Sequence, residues 1–226
     1  MPSGALLSFN TALAEIGDLA RAGQSSAPVA QTLRIARALG RSRVVPLSAH
    51  FERYFFPVNE EAVSFLTSSS VSGTRLPLNL KLLHSRFPID DLAAISWENR
   101  NTKLDEFLAS DGWLWDNTLS GSLAHGRLLA WMRTPSPENI LRYYRYWGIH
   151  DIFGAVTRSA QIRSRLWLGV KELVEKRNNI AHGDFNAQAT ADDIRRYISS
   201  VRTFCSRADR RLARTLANMV QATSPW

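Results

Sequence analysis

The sequence predicts an all-α protein: a helical bundle with a helical or irregular insertion. Three observations carry that expectation. Apolar residues recur at helical spacing in several long stretches. No stretch alternates apolar and polar residues for more than a few positions, so neither a sheet nor an α/β fold is indicated. Gly, Pro and Ser/Thr fall between the periodic stretches, where helices start and stop.

The elements follow in order. Residues 5–22 form an amphipathic helix through Leu6, Phe9, Leu13, Ile16 and Leu19, and Gly23–Pro28 break it. A second helix covers 29–40. A third runs from about Ser42 to Phe56, with Val44, Leu47, Phe51 and Phe55 as its apolar face; Pro57 breaks or kinks it, and Asn59–Leu66 can resume it. Glu52 lies about 95° from the centre of that face, at the edge of the core, and reads either as a surface carboxylate or as a partner for an inward-facing arginine. Residues 67–73 read as a polar linker. Residues 74–134 hold short apolar patches, prolines and four tryptophans without a repeat, and read as an insertion. His84 and His125 within it lack metal-ligand spacing, so structural or exposed roles are expected.

Ser136, Pro137 and Glu138 open a helix that Gly148 ends. Its aromatics Tyr143, Tyr144, Tyr146 and Trp147 suit a core or a dimer contact better than a base-stacking platform. Residues 160–182 form the next helix. Its apolar stripe is Leu166, Val170, Leu173, Val174, Ile180 and Ala181, with Arg177 near the middle. A charge there needs a partner, and a bidentate carboxylate such as Glu52 suits a guanidinium best. Asn178 and His182 are four apart on one flank, and Gly183 is a natural stop. Thr190, with Asp193 three residues on, caps a last helix. Its apolar stripe runs from Ile194 to Leu212, and Arg195, Arg196 and Arg202 lie on its basic face. The C-terminal ATSPW is expected to fray.

Composition narrows the function. At 226 residues, 45% hydrophobic and 21% charged, the chain suits a globular protein. The net charge is +8 and the pI about 10.2, which suggests a polyanionic partner. Nearly all the excess lies between Arg158 and Arg214, with 13 Lys/Arg against 6 Asp/Glu. One cysteine, Cys205, permits no internal disulfide, builds no Cys-rich zinc site and fits a reducing cytoplasm. No signal peptide and no membrane span are read from the sequence.

The stretch Lys171–Phe185, with Arg177 and Asn178 followed by His182 at the end of a late helix, resembles the Arg-x4-His motif of the HEPN superfamily. Ser48–Tyr54 (SAHFERY) and Asn139–Phe153 (NILRYYRYWGIHDIF) resemble its prokaryotic RiboL-PSP-like branch. The resemblance covers roughly residues 30–70 and 135–215, and implies one HEPN-like domain over 1–226 with an insertion at about 74–134. It implies a metal-independent endoribonuclease, needing no cofactor, that leaves a 2′,3′-cyclic phosphate. A toxin or antiviral-defence effector under an antitoxin or sensor protein fits that activity. Arg177 would bind the phosphate, His182 would act as general acid or base, and Asn178 would position one of them. Glu52 and Asp184 would support them, although many members carry an aromatic where this chain has Asp184. Lys176, Arg195, Arg196 and Arg202 would contact RNA. A homodimer would bring two motifs into one cleft. The alternative within the same resemblance is a non-catalytic domain that binds RNA or a partner. His182-Gly183-Asp184 also resembles the His-Gly-Asp of aminoglycoside phosphotransferase-like kinases. However, Ala189 stands where those kinases carry a metal-binding asparagine, and no glycine-rich loop or strand-rich lobe is present.

Overall fold

A computed structural model describes residues 1–22, 29–116, 121–184 and 186–226, with side chains described outside 19–37. The break expected at Gly23–Pro28 and the side chains of Leu19 and Phe185 lie outside the described residues. Among the described residues the architecture is all-α, with nine helices and no strand. They are α1 (Gly4–Ala22), α2 (Val29–Ser68), α3 (Leu78–Ala94), α4 (Arg100–Asp111), α5 (His125–Leu129), α6 (Pro137–Tyr146), α7 (Ile152–Ala155), α8 (Ala160–Ala181) and α9 (Ala191–Val220).

The long helix α2 is the spine, and α1, α8 and α9 all pack on it. It joins the two helices expected over 29–40 and 42–56 and continues past Pro57 through the expected resumption at 59–66, with Pro46 and Pro57 both inside it. Each proline removes one backbone donor, but burial outweighs that loss. Phe51, Tyr54, Phe55, Val58, Ala62 and Leu66 are buried on both sides of Pro57. The expected linker shortens accordingly, to a turn after Ser68 and a single 3₁₀ turn at Gly73–Arg75.

An aromatic cluster locks the spine to the C-terminal half. Phe55 meets Tyr143 edge-on at 5.6 Å, Tyr144 meets Phe204 at 6.4 Å, and Phe153 stacks on Phe204 at 4.9 Å. Tyr143, Tyr144 and Trp147 are therefore core, and Tyr146 is half-buried. On α9 the expected stripe is buried, and it includes Asp209, which the hydrophobic pattern did not point to. Asp209 accepts hydrogen bonds from the Ser3 backbone N–H, at 3.2 Å, and from the Ser3 hydroxyl. Burial pushes its carboxyl up. In the C-terminal tail residues 221–224 are exposed, while Trp226 is half-buried against the core and lines a pocket with Asp209.

Among the described residues the segment 74–134 forms three α-helices, α3 to α5, around a buried polar knot. His84 Nδ1 lies 3.0 Å from Asp111 Oδ2, and its Nε2 accepts the Ala124 backbone N–H at 2.8 Å. Nδ1 therefore carries the proton. Arg127 donates to both Asp111 oxygens, at 3.0 and 3.3 Å. His84 is thus structural, while His125 is exposed.

Candidate functional site

The site is built by the way α8 begins and ends. Ser159 caps its start, accepting from the Ile162 N–H. At the other end the chain turns back in a Schellman arrangement. The Gly183 N–H donates to the Ile180 carbonyl at 3.1 Å, and the Asp184 N–H to the Asn179 carbonyl at 3.0 Å. Gly183 supplies the left-handed residue this turn needs, at φ +80°. His182 becomes the C-cap residue.

The buried residues of α8 are Leu166, Gly169, Val170, Leu173 and Val174. The fully buried stripe thus stops before the motif, and the last two turns are only partly covered by the core. Ile180 is only half-buried and Ala181 is exposed. This corrects the inward placement of Arg177, which is half-buried rather than central to the core. Its Nη1 donates to the Asn178 Oδ1 at 3.2 Å, so the two side chains form one unit. His182 is exposed, and among the described residues its ring makes no hydrogen bond.

The supporting residues sit differently from the expectation. Glu52 is half-buried on α2, but among the described residues it makes neither a hydrogen bond nor an ion pair with Arg177. Asp184 serves its own loop, since its Oδ1 accepts the Asn186 N–H at 2.8 Å. That loop is pressed onto α2, where a Cβ on Gly40 would lie 2.2 Å from the Ala189 carbonyl oxygen. Beside it a shallow cleft of about 280 Å³ is lined by Arg41, Ser42 and Val45 of α2 together with Ile180, Gly183 and Asp184. Arg41 and Ser42 were missed from the sequence, because the break assumed within 29–56 hid that this part of α2 reaches the motif.

The basic residues divide into engaged and free. Arg195 is paired with Asp192. Arg196 reaches Glu172 at 2.8 Å and Asp193 at 2.9 Å, and its guanidinium lies over the Tyr197 ring at 5.5 Å. Burial pushes the Asp193 carboxyl up, but hydrogen bonds from Thr190 and the charges of Arg196 and Lys176 outweigh it and hold it down. The Thr190–Asp193 capping box is complete. Lys176 is half-buried and Arg202 exposed. Among the described residues no group of three or more His, Cys, Asp or Glu is placed to hold a metal ion. No described helix is long and apolar enough to cross a membrane.

The chain belongs to the RiboL-PSP-HEPN family, whose profile matches residues 12–214. The matched stretch takes in α2, the segment 74–134 and the α8–α9 pair. The HEPN superfamily is associated with RNase activity, and the helical architecture is the one the family has. No curated protein and no solved structure matches the chain. The kinase-like His-Gly-Asp has no strand-rich lobe to go with it among the described residues.

Proposed function

We propose that this protein is a metal-independent endoribonuclease, a single HEPN-like unit over residues 1–226. It would act as a cytoplasmic toxin or antiviral-defence effector held in check by an antitoxin or sensor protein. One observation carries the reading. A histidine with an unengaged ring closes α8 one turn after a hydrogen-bonded Arg177–Asn178 unit, at the surface.

Those groups match what RNA cleavage needs. The 2′-hydroxyl attacks the adjacent phosphorus as the bond to the leaving 5′-oxygen breaks, leaving a 2′,3′-cyclic phosphate. A proton must leave the first oxygen and reach the second, and charge on the phosphate must be met. His182 moves the proton. Arg177 meets the phosphate, and Asn178 holds its guanidinium in place. Lys176 and Arg202 hold the strand, with Arg195 and Arg196 exchanging weak exposed carboxylate pairs for phosphates. Glu52 and Asp184 shape the surroundings without touching the substrate.

A single protomer brings one histidine to this motif, and the reaction needs both a base and an acid. A C2 homodimer with the ends of α8 facing each other supplies the second. Light scattering at micromolar protein is expected to give a dimer. Purified protein incubated with total RNA and tRNA in EDTA is expected to leave fragments ending in 2′,3′-cyclic phosphate. RNA binding without cleavage would instead make this a non-catalytic RNA- or partner-binding domain. Cleavage abolished by EDTA would call for a metal-dependent mechanism on other residues.

A further inference from the structure

A second cleft, of about 620 Å³, lies between α6, the α7 turn and the first half of α8. Its wall is apolar, with Phe153, Trp167 and the 51% exposed Leu168. Trp167 is half-buried, its ring held edge-on by Phe153 at a centroid distance of 5.0 Å. Two exposed arginines, Arg145 and Arg163, stand at the cleft from different helices. The Arg145 Nε donates to the His150 carbonyl at 3.1 Å, which fixes its stem. Among the described residues its terminal nitrogens make no hydrogen bond, and Arg163 makes no ion pair. The one carboxylate in the lining, Asp151, is occupied as the cap of α7, accepting the Gly154 N–H at 3.0 Å.

The cleft is continuous with the candidate site along α8. At 3.6 residues per turn, Trp167, Lys171, Asn178 and His182 fall within roughly 60° of one another. Lys171 is half exposed and only loosely paired with Glu175, at 3.8 Å. One flank of the helix therefore runs from an aromatic cleft with two cations, past a lysine, to the Asn178–His182 end. Trp167 and His182 are about 22 Å apart along the axis, at a rise of about 1.5 Å per residue.

We infer that this cleft is a distal subsite for the single-stranded RNA substrate: Trp167 stacks on a base, and Arg145 and Arg163 hold the flanking phosphates. The inference rests on the nuclease reading for its direction along the helix. An aromatic face flanked by cations suits a nucleotide, because stacking takes any base and the arginines take its phosphates. The sequence supports the same charge sign, since the basic excess begins at Arg158.

The test uses the full chain and a fluorescein-labelled single-stranded 12-mer made non-cleavable by 2′-O-methylation, with binding read by anisotropy. The R145E/R163E double variant is expected to bind about tenfold or more weakly than wild type. Trp167→Leu keeps an apolar contact to Phe153 and is expected to lose several-fold. Arg86→Glu, a charge reversal on α3, is the control and is expected to bind as wild type. A dinucleotide is too short to span the distance, so its cleavage should be unchanged in the double variant. Equal affinity of wild type and double variant would overturn the subsite, as would no binding by wild type. A double variant that turns monomeric would show the cleft to be a protein interface, and would overturn it too. Arginine-dependent binding without any cleavage would keep the subsite and remove the nuclease reading.

Discussion

His84 and His182 show how differently two regions of this chain use the same chemistry. In the segment 74–134 the histidine is 2% exposed, with a carboxylate on one ring nitrogen and a backbone N–H on the other. Burial lowers its pKa, and the Ala124 N–H opposes a second proton on the ring. Its polar capacity is consumed in holding α3, α4 and α5 together. In the C-terminal half His182 caps a helix whose last two turns are only partly covered by the core, and its ring is open to solvent. The surfaces differ in the same sense. Segment 74–134 carries 7 basic and 7 acidic residues. Eight of the thirteen large apolar residues described as exposed lie on it, Trp97 being 77% exposed. The segment 158–214 carries the positive excess. On the proposed function, a polyanion would be drawn to the second region and not to the first. One histidine is spent inside α3 as a structural joint, and the other stands exposed at the C-cap of α8.

The contrast can be broken from the structural side first. Asp111→Ala strands a buried histidine and leaves Arg127 without its carboxylate. The expected loss is about 3–5 kcal/mol, read as a lowered denaturation midpoint. RNA cleavage below the new melting temperature should persist, because the knot does not touch α8. Loss of cleavage in folded Asp111→Ala would join the two regions that we separate.

Gly40→Ala comes next. The added methyl meets the Ala189 carbonyl at 2.2 Å, and the loop after His182 must move. About 1–3 kcal/mol of stability should go, and with it part of the cleavage rate. An unaffected rate would free the loop from any part in positioning His182.

Glu52→Ala is the smallest expected effect. With no bond from Glu52 to Arg177 in the protomer, stability should change by less than about 0.5 kcal/mol. A drop of several kcal/mol in thermal melts would mean that Glu52 holds a buried cation after all.

How far the sequence revealed this follows from the kind of signal each feature leaves. The helices α6, α8 and α9 were legible because period and terminal signals agree, as at Ser136, Thr190 and Gly183. The continuity of α2 was not, because a proline signals only the local cost and the offsetting burial is tertiary. The knot of His84, Asp111 and Arg127 joins residues 16 to 27 positions or more apart in sequence, and no local pattern announces it. The motif residues were proposed from a resemblance, and the depth of Arg177 was misread. A helical wheel assumes that the core extends as far as the helix does, and here it ends at Val174.

The most direct measurement compares His182→Ala with wild type for cleavage and for binding of one RNA, in EDTA. Proton transfer by a positioned side chain is worth about 10²–10⁴-fold in rate. The account predicts a loss of cleavage of that size with RNA affinity kept, since the helix end and its cations remain. A His182→Ala protein that cleaves as fast as wild type would contradict it and leave the motif structural.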